Sequence, residues 1–160
     1  MFKSFVKFTG IVVVAQLVTY FVAGVIAQNV LGANEFYPPS ANAISYLRDP
    51  HDLTLVAWIF PVQAVRGLLF ALVLWPFRQR IMELGTWLGG LAIASVIFVA
   101  GYVSASGGMI EHFLYFRAAD YPVKFAMITF VEILIQTLLM GPAIVAAEKR
   151  SSGKQALKAA

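Results

Sequence analysis

The stretch that decides the fold is FPVQAVRGLLFALVLWPFRQR, residues Phe60 to Arg80. Its first part, up to Phe77, is almost entirely apolar and belongs to a segment long enough to cross a lipid bilayer, which takes about 20 predominantly apolar residues. The middle of this segment nevertheless carries Arg66. An arginine at the centre of a membrane-spanning helix costs about 2.5–3.5 kcal/mol on insertion scales, so it is expected to face protein or water rather than lipid. Arg66 is therefore the first candidate for a functional residue.

Three further stretches of the chain have the same apolar character. Hydrophobic residues make up 60% of the chain and charged residues 12%, whereas soluble proteins carry about 25% charged residues. The four stretches of spanning length are Phe8 to Val30, Thr54 to Phe77, Leu84 to Tyr102 and Tyr121 to Ala147. The sequence predicts an all-α integral membrane protein, a bundle of four transmembrane helices in a single domain over residues 1–147. A mobile basic tail is expected over residues 148–160.

The positions of the basic residues indicate how such a bundle is oriented. Most of the 12 lysines and arginines precede the first stretch, separate the second from the third, or follow the fourth: Lys3, Lys7, Arg78, Arg80, Lys149, Arg150, Lys154 and Lys158. Because lysine and arginine accumulate on the cytoplasmic side, both termini are expected in the cytoplasm and two longer loops outside. The net charge of +4 is then a topology signal, and no nucleic-acid partner is expected. The expected partners are the lipid bilayer and either further copies of the chain or another membrane protein.

Glu132 is the expected partner of Arg66. Arg66 lies 12 residues from Arg78, and Glu132 lies 12 residues from Asp120. Each separation corresponds to about 18 Å of α-helix, which places the two charges at similar depth. An ion pair between Arg66 and Glu132, joining the second and fourth spans, is the simplest expectation.

Amide side chains are expected beside this pair in a shared polar layer. Gln63 lies three residues before Arg66, and Gln136 lies four residues after Glu132, so each shares a helix face with its charged neighbour. The first span adds Gln16 and Tyr20. Small residues in the third span, Gly85-x-x-x-Gly89 and Gly90-x-x-x-Ala94, indicate a face that packs either within the bundle or against a second copy.

Chemistry at the outer side is the remaining possibility. The chain contains no cysteine, which excludes disulfides, thiol catalysis and cysteine metal sites. Its two histidines, His51 and His112, lie in the predicted outer loops, and together with nearby acidic residues they are candidates for a metal site or for an enzyme of the outer interface. Their spacing matches no known ligand motif, so neither a metal nor another cofactor is expected.

Three blocks of the sequence carry a family resemblance: Gln63-x-x-Arg66-Gly67-Leu68-Leu69 with Pro76 and Arg78, Met109-Ile110-Glu111, and Glu132-x-x-x-Gln136-Thr137-Leu138. They resemble blocks in small predicted bacterial inner-membrane proteins of uncharacterised function. The resemblance covers the second to the fourth helix. It implies a multi-pass protein of the bacterial inner (cytoplasmic) membrane, and it implies no activity.

Two functions are favoured over an outer-interface enzyme at His51 and His112, which stays the third candidate. The first is a non-enzymatic structural or accessory subunit in which the Arg66–Glu132 pair fixes helix packing. The alternative is a small oligomeric transporter or channel that uses the same residues for anion binding or gating. A dry, closed pair would favour the accessory role, whereas an open cavity that reaches Arg66 or Glu132 would favour transport.

Overall fold

Helices make up nearly all of the computed structural model, which describes residues 2–44, 47, 49, 52–103 and 122–159. The helices are α1 (Phe2–Asn29), α2 (Leu53–Leu74), α3 (Arg78–Glu83), α4 (Gly85–Phe98) and α5 (Val123–Ala159). Short 3₁₀ turns lie at Ala33–Phe36 and Trp75–Phe77, and a π-helical turn at Val99–Val103 extends α4. The described chain is therefore all-helical, as expected, and contains four helices long and apolar enough to cross a membrane.

Local sequence explains where these helices begin and end. Asp52 caps α2, because its side chain accepts a hydrogen bond of 2.8 Å from the backbone N–H of Thr54. Gly85 turns the chain between α3 and α4 with a φ of 84°, a value that residues with a Cβ rarely adopt. α5 continues through Glu148 without a break, so the predicted boundary between bundle and tail lies inside a helix.

The four long helices pack as neighbours in the order α2, α1, α5, α4. The start of α1, all of α3 and the last turns of α5 lie at one end, called here the basic end. Asn29, Leu53 and Val123 lie at the opposite end, called the loop end. A core in the basic half draws on all four long helices and includes Phe8, Leu74, Ile93, Met140 and Ile144. A smaller apolar cluster closes the loop end and includes Ala27, Phe36, Ile44, Phe125 and Ile128.

Glycines determine how closely neighbouring helices approach. Where α4 crosses α5, a Cβ on Gly90 would lie 2.7 Å from Pro142 Cα, and a Cβ on Gly141 would overlap the carbonyl oxygen of Gly90. Where α1 crosses α2, a Cβ on Gly67 would lie 2.9 Å from Val13 Cα. The small-residue face of α4 therefore packs within the chain, and Gly67 admits the backbone of α1 as its position beside Arg66 predicted.

Candidate functional site

Two of the residues expected in the polar layer are joined directly. Gln16 Nε2 on α1 donates a hydrogen bond of 2.8 Å to Gln63 Oε1 on α2, and both side chains are buried. The close approach of the helices at Gly67 places these amides opposite each other. Gln136 is also buried, on α5. The two amides form a cross-link between α1 and α2 in the interior of the bundle.

Tyr20 lies near both this amide pair and the two charged residues. It lies on the face of Gln16, one turn further along α1. Its hydroxyl lies beside the Gln63 side chain and within electrostatic range of both Glu132 and Arg66. The i, i+4 spacing of Gln16 and Tyr20 is the sequence signal that places both side chains on the same polar face of α1.

The expected ion pair between Arg66 and Glu132 is not formed. Three ion pairs join described residues to one another, and neither Arg66 nor Glu132 takes part: Arg78–Glu148, Arg80–Glu83 and Lys124–Glu35. Arg66 is exposed on α2, whereas Glu132 is partly buried on α5. The layer expected to hold a buried ion pair therefore holds an amide pair, with one charged residue to each side of Tyr20.

The register of the helices explains the separation of the two charges. α1 contacts α2 at Val13 and Gly67, and it contacts α5 at Gly24 and Glu132. Arg66 therefore lies at about the level of Val14 on α1. Glu132 lies at about the level of Gly24, ten residues further along the same helix. Ten residues of α-helix rise about 15 Å, which is too far for a direct contact between the two side chains.

Glu132 instead faces a cavity of about 260 Å³ between α1, α2 and the first half of α5. Four aromatic side chains contribute to its lining: Tyr20, Phe21, Tyr37 and Phe60. The rings of Phe21 and Phe60 stack with their centroids 6.2 Å apart. Gly24 lies beside the carboxyl group, since a Cβ there would be in ordinary van der Waals contact with Glu132 Oε1, at 3.9 Å. A carboxyl group among aromatic rings can hold an organic cation by charge and by cation–π attraction.

A second polar centre lies at the basic end, where the sequence analysis placed no site. Arg78 Nε donates a hydrogen bond of 2.9 Å to Glu148 Oε1, and a terminal guanidinium nitrogen pairs with the same oxygen. Glu148 is only 3% exposed. The guanidinium carbon of Arg78 lies 6.0 Å from the ring centroid of Phe8 and 5.4 Å from that of Trp75. The sequence signal is an acidic residue between the last apolar stretch and the Lys149-Arg150 pair.

The proposed histidine chemistry falls on a part of the chain that the structure does not describe. His51 and His112 both lie outside the described residues. Within the described ranges, no group of three or more histidine, aspartate or glutamate side chains is arranged to hold a metal ion. The metal site therefore stays a sequence-based candidate.

Four of the described helices have the length and apolar composition of membrane-spanning helices, so the fold fits the class of membrane proteins. Comparisons with protein families, with curated proteins and with solved structures found no match. The resemblance to small bacterial inner-membrane proteins stays a prediction.

Proposed function

We propose that the chain is an integral membrane protein that binds a small organic cation in the cavity at Glu132, as a small transporter or channel. The observation that carries the proposal is the position of Glu132. Its carboxyl group faces an aromatic-lined cavity and has no basic partner among the described residues. A cavity that reaches Glu132, in place of a closed Arg66–Glu132 ion pair, favours a transport role over a purely structural one.

The charges of the bundle support a defined orientation in the membrane. Lys7 donates a hydrogen bond of 3.2 Å to the backbone oxygen of Ser151, and Arg78 pairs with Glu148, so three basic segments meet at one end. Clustered basic residues are typical of the cytoplasmic side, which supports an orientation with both termini there and the loop end outside. The family resemblance supports the bacterial inner membrane as the location.

The chemistry of the cavity favours a cation over the anion that the sequence indicated. Arg66 is the spanning residue that would attract an anion, and it is absent from the cavity lining. Aromatic rings attract a cation with about 0.5–1 kcal/mol at exposed sites and about 2 kcal/mol when the site is desolvated. The carboxyl group adds an opposite charge on the wall of the same cavity. A quaternary ammonium ion or an alkylated amine satisfies both features.

Titration calorimetry of the protein in lipid nanodiscs tests the binding function, with tetraethylammonium as the probe. We expect binding to the unmodified chain and a loss of about tenfold in affinity, or 1.4 kcal/mol, in Glu132→Gln. Glu83→Gln is the matched control, because Glu83 is exposed and pairs with Arg80 at the far end of the bundle. Equal affinity in Glu132→Gln, or tighter binding of benzoate than of tetraethylammonium, would contradict the proposal.

An accessory role is the second candidate, and the buried Gln16–Gln63 hydrogen bond favours it. Hydrogen bonds between polar side chains hold apolar helices in a single register when no hydrophobic force acts between them. Uptake of labelled tetraethylammonium into proteoliposomes separates the two functions. Uptake that depends on Glu132 supports transport, whereas binding without uptake supports an accessory or sensing subunit.

A further inference from the structure

We propose that Arg66 and the groove beside it form a docking surface for a transmembrane helix of another membrane protein, one that carries an aspartate or glutamate at mid-depth. The inference rests on the proposed membrane insertion and is independent of cation binding at Glu132. Three features carry it: the environment of Arg66, the shape of the groove, and the depth at which both lie.

Arg66 is a cation without an ionic partner among the described residues, and exposed apolar side chains flank it on α2. Its side chain is exposed and forms no ion pair with any residue in the described part of the chain. Val62, Leu69 and Val73 lie four before, three after and seven after it, so they share its face. These three side chains are 53%, 55% and 55% exposed. In a bilayer, an apolar surface that carries one negative charge would both pack against these side chains and neutralise Arg66.

The groove supplies the space for such a surface. It has a volume of about 170 Å³ between α2 and the last turns of α4, directly toward the basic end from Arg66. Leu69 and Phe70 form one wall, and Val96, Ala100 and Gly101 form the other. Since α2 packs mainly on α1 and α4 mainly on α5, this side of the bundle is left open by the part of the chain that the structure describes. Small residues such as Ala100 and Gly101 allow another helix to approach closely.

The depth of Arg66 decides what kind of group can pair with it. Arg66 lies 13 residues from Leu53 and 12 from Arg78, which is about 18–20 Å of helix in either direction. Lipid headgroups at either interface are out of reach from there, whereas a carboxylate on a spanning helix lies at the same depth. A second copy does not offer one, because Glu132, the acidic residue inside an apolar helix segment among those described, lies about 15 Å nearer the loop end and faces the cavity of its own chain.

The first experiment measures energy transfer between the labelled protein and defined transmembrane peptides in liposomes. The peptides are leucine-rich helices with Glu, Gln or Leu at the central position, and the protein carries its dye at Ser152→Cys, since the chain has no native cysteine. We expect the Glu peptide to associate about tenfold more strongly than the Leu peptide. Arg66→Leu should abolish this preference and Arg66→Lys should retain most of it. Equal association of all three peptides, or a preference that survives Arg66→Leu, overturns the proposal.

The second experiment tests whether Arg66 instead lines a path filled with water. Single-cysteine variants Arg66→Cys, Leu69→Cys and Asn42→Cys are treated in proteoliposomes with a maleimide that does not cross membranes. We expect Asn42→Cys to react, since Asn42 is exposed near the loop end, while Arg66→Cys stays as protected as its apolar neighbour. Reaction of Arg66→Cys at the rate of Asn42→Cys would place Arg66 in water and overturn the docking surface.

Discussion

At the scale of single residues, the charges of the bundle divide into those paired near its ends and those that lie unpaired within the long helices. Arg78–Glu148 and Lys124–Glu35 are ion pairs near the two ends. Arg66 and Glu132 lie within the long apolar helices, about 15 Å apart along the bundle, without an ionic partner among the described residues. Since an unpaired charge away from water costs several kcal/mol, these two residues are the ones for which a ligand or a partner protein is the natural explanation.

The ion pair at the basic end should contribute strongly to stability. Glu148→Gln leaves the guanidinium of Arg78 without its counter-charge beside two aromatic rings. Loss of one partner of a buried pair costs about 3–5 kcal/mol, and we expect the lower end because Arg78 keeps 26% of its side-chain surface exposed. Thermal and chemical unfolding in detergent measure the effect. Glu83→Gln breaks an exposed pair and should cost less than about 1 kcal/mol, so equal losses in the two variants would contradict this assignment.

The separation of Arg66 and Glu132 predicts that exchanging their charges will not restore stability. The variants are Arg66→Glu, Glu132→Arg and the double exchange, each scored by unfolding free energy and by the yield of folded, monodisperse protein. Sites more than about 7–10 Å apart with no shared partner are additive to within about 0.5 kcal/mol. We expect the double exchange to be as destabilised as the sum of the single changes. Rescue by the double exchange would show that the two side chains pair directly.

At the scale of helices, the α4–α5 crossing depends on the absence of side chains. A methyl group on Gly141 would overlap the carbonyl oxygen of Gly90, and backbone cannot move aside as a flexible side chain can. Gly141→Ala should therefore destabilise the fold by about 1–3 kcal/mol or more, the range typical of overpacking, as measured by unfolding in detergent. Gly10→Ala is the matched control, because nothing lies within 4 Å of a Cβ there. Alanine at that helical site should stabilise by up to about 1 kcal/mol, so the two changes are expected to have opposite signs.

The helices themselves were predictable because their composition leaves few alternatives. The apolar stretch starting at Thr54 became α2 (Leu53–Leu74), and the first stretch lies within α1 except for its last residue. The helix ends were not predictable from hydropathy, which reports where a helix leaves an apolar layer rather than where its hydrogen bonds stop. α1 thus begins at Phe2, and α5 continues past Ala147 through charged residues.

The candidate site was predictable in its residue types but not in its pairing. Counting residues from the ends of two spans places Arg66 and Glu132 at similar depth only if the helices share one register. That register depends on what each glycine packs against. Here Gly67 packs against Val13, and Gly24 packs against Glu132. Such contacts belong to tertiary packing and leave no periodic signal in the chain. The Gln16–Gln63 bond was accessible from the sequence, because each residue lies on a polar helix face.

At the scale of the whole molecule, orientation decides which compartment the cavity serves. The cavity lining includes Ala33 and Val56, which lie near the loop end, so it is placed in that half of the bundle. The basic segments meet at the other end through the contacts of Lys7 and Arg78. If the basic end is cytoplasmic, the cation site faces the outer compartment, and a transporter of this class would take up its solute from there.

Cysteine labelling in intact cells tests this orientation on a chain that has no cysteine of its own. Asn42→Cys is exposed near the loop end and Ser152→Cys is exposed at the basic end. We expect an impermeant maleimide to label Asn42→Cys in intact cells and to label Ser152→Cys only after the membrane is opened, because basic residues resist translocation. The reverse pattern would place the cavity on the cytoplasmic side, and solute would then enter it from inside the cell. Labelling of both variants in intact cells would mean that the two ends are not separated by a bilayer, which would remove the basis for assigning the four apolar helices to the membrane.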